Sequence, residues 1–285
     1  MAWKARTWTA LRLARRHWAW TVAVVVACGV LLTVGRAFWS MRSPEHRFTV
    51  AFDKIALPTP PPYVPESIRD EVRERGAFAT TLDLRDATLP ERLQLAFAAH
   101  PWVEGVERVR TASSAGIVVE LTYRTPVAWV VGPYRETGDP SFLVDGMGRA
   151  LPALPDVRAA SPQLRITGVR DKPRGKPGEP WGIPAVEKAA RVATVLGEEC
   201  ASLQIVEIKL DADPLVPDVR LVTSGGTQVA WTLQEDGRME PTDEQKLKWL
   251  KTYVIETGGL DKPAGPYVLD VRRVDGMTRR PLKPS

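Results

Sequence analysis

The run from Trp18 to Gly35 is apolar except for Thr21 and Thr33, and Arg15, Arg16 and Arg36 bracket it. A helix that crosses a bilayer needs about 20 apolar residues, with a lower limit near 17. Ala37, Phe38 and Trp39 lengthen the run once Arg36 snorkels toward the interface. Trp18, Trp20 and Trp39 fall near its two ends, at the depth amphipathic aromatics prefer. The pattern predicts one membrane helix over residues 18–39, with Val24, Leu31 and Leu32 in its apolar body. Lys4, Arg6, Arg12, Arg15 and Arg16 precede it with no acid among them, so residues 1–17 are expected in the cytoplasm. The long C-terminal part then lies outside the cytoplasmic membrane. A cleaved signal peptide fits less well, because the core runs long and no clean Ala-x-Ala follows. A lipoprotein signal at Val25-Val26-Ala27-Cys28 also fits less well, because the apolar run continues past Cys28.

The chain has 285 residues, 44% hydrophobic and 26% charged, which is the balance of a folded protein. Its length beyond the anchor suits about two small domains. The net charge of +5 is concentrated at the ends, where Arg272, Arg273, Arg279, Arg280 and Lys283 match the basic N-terminus. The near-neutral middle lacks a basic patch with interleaved aromatics, which argues against nucleic acid. Cys28 and Cys200 lie far apart and His17, His46 and His100 are isolated. Neither a disulfide framework nor a zinc site is expected from them. No nucleophile elbow occurs, and Glu198-Glu199 reads as a solvated helix end. Asp211 and Asp213 read as loop residues, and His100 as a helix terminus. Asp145-Gly146-Met147-Gly148 reads as a turn, with no Lys-Ser/Thr to make a phosphate loop. No catalytic, metal or cofactor-binding residue is expected.

Residues 40–47 read as a polar linker and residues 48–56 as a strand. Pro58, Pro60, Pro61, Pro62 and Pro65 then forbid a helix and stiffen the chain. A helix opens at Pro65 and ends at Gly76, with Ile68 and Val72 on one face. Thr88 with Glu91 predicts a capping box for a second helix, which ends at His100-Pro101. Strands over 103–110 and 117–123 complete an order of strand, helix, helix, strand, strand across residues 48–125. A second, β-rich unit is expected over residues 126–272. Residues 126–131 start it, its strands are placed at 142–144, 164–167, 203–210, 219–222, 227–231 and 267–271, and its helices at 185–196 and 242–255. The segment 170–182 is rich in Pro, Gly and Lys and reads as an exposed loop; residues 273–285 read as a tail. The expected fold class is α+β.

Several segments resemble, in order, the FtsQ/DivIB family of bacterial cell-division proteins. They are His100-Pro-Trp-Val, Tyr123-Arg-Thr-Pro-Val-Ala-Trp, Leu143-Val-Asp-Gly-Met-Gly, Gly226-Thr-Gln-Val-Ala-Trp, Lys246 and Leu269-Asp-Val-Arg272. The resemblance implies a membrane helix, a POTRA domain and a second β domain, acting as a non-enzymatic scaffold at the division septum. It implies partners like the single-pass proteins FtsB and FtsL, bound at the outer edge of the last strand. That site maps to Tyr267, Val268, Leu269, Asp270, Val271, Arg272 and Arg273, with Arg272, Arg273 and Arg279 available to pair with partner acids. Arg273 stands where relatives often carry an aromatic, and the proline cluster 58–65 also departs from the pattern. The alternative is a POTRA-bearing module for export or outer-membrane protein assembly, although no series of barrel strands follows Val131.

Overall fold

A computed structural model describes residues 29–34, 48–112, 116–133, 141–152, 162–210, 219–231 and 241–282. The expected anchor falls mostly outside them, and so do Trp18, Trp20, Val24 and Trp39. Residues 29–34 are helical, with Leu31 and Leu32 exposed. Among the described residues no helix is long and apolar enough to cross a membrane.

The rest is a mixed α+β structure. In the N-terminal lobe β1 (Thr49–Ala51) is followed by α1 (Ile68–Arg75), β2 (Thr81–Asp83), α2 (Leu89–Ala98), β3 (Val103–Ala112) and β4 (Gly116–Tyr123). The expected first strand is broken by a 3-10 turn over Phe52–Lys54. That turn sends both Phe52 and Ile55 into the core, which a period of two cannot do. Ala56 then bridges Val118 in parallel, beside the β3–β4 hairpin. The short β2, unexpected from its sequence, pairs antiparallel with β1. Thr88 does not form the expected capping box; its backbone is already helical, and its N–H and Oγ1 both donate to Asp86 Oδ1, at 2.9 and 2.7 Å. His100 closes α2 and is buried. Its Nδ1 accepts from the Trp102 N–H at 3.3 Å, which leaves Nε2 to donate to Glu71 Oε2, also at 3.3 Å. Burial pushes its pKa down, so the ring is neutral near pH 7.

The C-terminal lobe is built on one nine-stranded sheet in the order β13-β12-β11-β10-β9-β8-β5-β6-β7. These strands are β5 (Pro126–Val130), β6 (Phe142–Asp145), β7 (Ala150–Leu151), β8 (Arg165–Thr167), β9 (Ile205–Leu210), β10 (Val219–Thr223), β11 (Gln228–Trp231), β12 (Tyr267–Asp270) and β13 (Thr278–Pro281). Helix α3 (Pro184–Leu196) packs across β5 and β9 and against α5 (Asp243–Thr257), while α4 (Glu199–Ser202) is a single turn. A capping box between Thr242 and Gln245 opens α5.

The two lobes share strands β5–β7. Ala128, Val144 and Ala150 form a cross-strand row that faces the C-terminal core. The alternate row, Trp129, Leu143 and Leu151, packs into the N-terminal core. That end of the sheet is therefore covered on both faces, which is why Phe142-Leu143-Val144 reads as a continuous apolar run. The joint also carries an ion pair, Arg124 Nη1 to Asp145 Oδ2 at 2.8 Å, with side chains only 11% and 6% exposed.

The segment 170–182 is not a free loop. The Gly178 N–H donates to the Ala150 carbonyl at 2.7 Å, and the Trp181 N–H to that of Gly148 at 3.0 Å. Arg149 and Pro180 form an antiparallel bridge, so the segment covers the β7 edge. Gly178 has φ +93, and a Cβ there would lie 3.0 Å from Pro101 Cα in the N-terminal lobe, so glycine is required on both counts.

Candidate partner-binding edge

The sequence singled out residues 267–273 as an open strand edge, and the structure places them otherwise. β12 is an interior strand. On one side it runs parallel to β11, through Gln228↔Val268, Val229↔Leu269 and Ala230↔Asp270. On the other side β13, expected to be part of a tail, runs antiparallel to it. The register there is Tyr267↔Pro281, Val268↔Arg280, Leu269↔Arg279 and Asp270↔Thr278. The last strand of the sheet is therefore β13, and its outer side pairs with no strand among the described residues.

Tyr267, Leu269 and Val271 are buried in the C-terminal core, so none of them is an exposed contact surface while β13 is in place. Val268, Asp270 and Arg272 are half-buried, and Arg273 is exposed. The arginines expected to meet partner acids are already engaged. Arg272 clamps Asp270 with Nη2–Oδ2 2.8 Å and Nε–Oδ1 2.9 Å, and this hydrogen bonding holds the Asp270 carboxyl below the usual carboxylate range. Arg273 lies 3.6 Å from Asp275 in the turn leading to β13.

Arg279 has the most specific contacts on β13, and it meets two tyrosines rather than the partner acids expected of it. Its guanidinium carbon lies 5.0 Å from the centroid of the Tyr267 ring and 6.0 Å from that of Tyr253. Its Nη1 donates to the Tyr253 hydroxyl at 3.1 Å. Each tyrosine hydroxyl also has a backbone partner of its own. The Tyr253 hydroxyl donates to the Lys262 carbonyl at 2.9 Å, and the Tyr267 hydroxyl accepts from the Ala264 N–H at 3.0 Å. A cation between two aromatic rings is a favourable arrangement, and the tyrosine bond raises the guanidinium pKa above its ordinary value. By contrast, all four β13 residues are exposed.

A buried polar network sets the start of β12. The Tyr267 N–H donates to Thr227 Oγ1 at 3.1 Å. Thr227 N–H in turn donates to Thr223 Oγ1 and Asp261 Oδ1, at 3.0 and 3.1 Å, and Thr223 Oγ1 donates to the same Asp261 oxygen at 2.8 Å. Replacing Thr227 by valine keeps its shape but leaves the Tyr267 N–H buried without an acceptor. The expected loss is about 1–3 kcal/mol, read as a lowered denaturation midpoint. An unchanged midpoint would show that the network does not anchor β12.

Other reactive groups are quiet. Burial pushes the Cys200 thiol up to about 11, so it carries little thiolate at neutral pH. Among the described residues no group of three or more His, Cys, Asp or Glu could hold a metal ion. Lys246, which the resemblance singled out, is fully buried, with Nζ 3.4 Å from Asp243 and 5.4 Å from the centre of the Trp231 ring. Trp231 Nε1 donates to the same Asp243 oxygen at 3.2 Å, so the three residues tie α5 to β11.

A scan against protein-family models finds no match, and a search of the curated proteins finds no similar sequence.

Proposed function

We propose that the chain is a membrane-anchored, non-enzymatic scaffold of the bacterial cell-division machinery. It engages single-pass partners like FtsB and FtsL through the C-terminal end of its large sheet. The observation that carries the reading is that end itself: β12 with an exposed strand, β13, as its outermost neighbour. An accessible edge of this kind recruits an extended segment by completing its backbone ladder. Two further features support the reading. Two helices followed by the β3–β4 hairpin, with Ala56 parallel to β4, are compatible with a POTRA domain, apart from the short β2 between the helices. The segments that carry the family resemblance fall on the junction of α2 and β3, the lobe joint, the β6 hairpin, β11, α5 and β12. The apolar run 18–39 supplies the anchor, with the N-terminus in the cytoplasm.

The test is the position of a fluorescent protein fused to Met1 in dividing cells. A band at the constriction is expected. Uniform envelope labelling by an intact, functional fusion would overturn the reading and favour an export module.

A further inference from the structure

We propose that β13 is a resident strand that a partner replaces, and that the slot between Tyr253 and Tyr267 selects for an extended segment carrying a guanidinium at the position opposite Leu269. The inference rests on the edge-pairing reading above and adds what the edge recognises and how it is kept covered.

A strand is normally held by burying one of its faces, and that burial also fixes its register. β13 has no such face: Thr278, Arg279, Arg280 and Pro281 are all exposed. What holds it is the backbone ladder to β12 together with the Arg279 contacts and, just before the strand, the half-buried Met277 against the C-terminal core. Its outer neighbour Leu282 adds one backbone bond, N–H to the Pro266 carbonyl at 3.1 Å. The turn leading to β13 contains Gly276 at φ +119, a conformation that other residues adopt only with strain. Segments with few buried contacts open locally at far lower cost than the core around them. The β12 that would be uncovered is, in contrast, rigidly placed. Tyr267, Leu269 and Val271 are buried, β11 pairs its inner side, and the Thr227 hydroxyl fixes its first N–H.

Release of β13 leaves a four-residue ladder with one strongly selective position. The rings of Tyr253 and Tyr267 are held by bonds to Lys262 and Ala264, neither of which involves Arg279, so the slot persists when its occupant leaves. An incoming strand that is merely extended gains the ladder. One that places an arginine opposite Leu269 gains the ladder and the slot. Selection therefore depends on the guanidinium and its register rather than on net charge, since Arg272 and Arg273 are already turned to Asp270 and Asp275.

The experiment uses the full chain in detergent and a fluorescent peptide copying residues 276–282. Saturable binding is expected, with the peptide taking the place of β13. Citrulline at position 279 keeps the shape and removes the charge; it should weaken binding about ten-fold, while the same change at position 280 should have little effect. A chain with Val268→Cys and Arg280→Cys, in a background where Cys28 and Cys200 are serine, should bind when reduced and not when oxidised. Hydrogen exchange should show amides of 278–280 opening at least a hundred-fold more often than those of Tyr267 and Val271, which donate to Thr227 and Ala230 on the β11 side. Absence of peptide binding, equal binding of the citrulline peptides, or equal protection of the two strands would each overturn the proposal. These outcomes are read on purified chain, so they leave the septal-localisation result standing. A missing septal band would in turn remove the division reading without touching strand exchange.

Discussion

Replacing Asp145 by alanine is expected to destabilise the folded chain by about 3–5 kcal/mol, the range for breaking one side of a buried ion pair. The aspartate side chain accepts from three residues at once. Its Oδ1 accepts the N–H groups of Met147 and Arg149, both at 2.9 Å, which shapes the turn between β6 and β7. Its Oδ2 accepts from Arg124 at 2.8 Å. Arg124 sits where β4 passes into β5, and its Nε is buried without a partner among the described residues. Removing the carboxylate therefore strands a cation at the joint between the lobes. Asparagine in the same place keeps a turn-forming oxygen and should recover part of the loss. Pairing Asp145→Leu with Arg124→Met should recover more, because no buried charge then remains. Urea denaturation of the detergent-solubilised chain checks all three variants. An alanine variant that loses less than about 1 kcal/mol, the range of an exposed pair, would show that the pair is effectively solvated.

Trp181→Ala should cost a similar amount, about 3–5 kcal/mol for emptying the site of a large buried aromatic. Trp181 is fully buried and meets Phe142 edge-on at 5.6 Å between ring centres. Its Nε1 donates to the Asp171 carbonyl at 3.2 Å, which pulls the two ends of the segment 170–182 together. The tryptophan thus serves both as core and as the pin that holds this segment over β7. Loss of the ring should also release the bridge between Arg149 and Pro180, seen as faster hydrogen exchange at Gly178 and Ala150. Phenylalanine keeps most of the packing and loses one hydrogen bond, for which about 1 kcal/mol is expected. Full protection of Gly178 in the alanine variant would show that the segment is held by its backbone alone.

The sequence disclosed elements wherever a periodic apolar pattern met a cap or a turn. Helix α3 and strands β4 and β10 alternate apolar and polar residues at the period of their own structure, because each has one face in the core. What stayed hidden had no such pattern. Thr-Arg-Arg-Pro in β13 buries nothing, so it looks like a charged tail, and its pairing depends on a neighbour some ten residues back along the chain. Missing it turned an interior strand, β12, into an apparent edge. The Tyr253–Arg279–Tyr267 contacts join residues on a helix and two strands, and no local spacing marks them. Trp181 lies among prolines, glycines and lysines, where turn chemistry outweighs a single aromatic in any local reading. Asp145 was legible as a turn former from Asp-Gly, but its ion pair reaches back 21 residues.

The strand order also bears on how the C-terminal lobe assembles. From β8 outward, each new strand in the chain joins the side of the one before it, so the sheet lengthens in the direction of synthesis. The inner boundary is different: β8 must find β5 in parallel across the β6–β7 hairpin, a pairing that closes a long loop before any contact rewards it. That step is expected to limit the rate of folding, and the strands beyond it to add quickly once it is made. Mutations at Trp129, Val130 or Ile166 should therefore slow folding, whereas equally costly ones in β10 or β11 should chiefly speed unfolding.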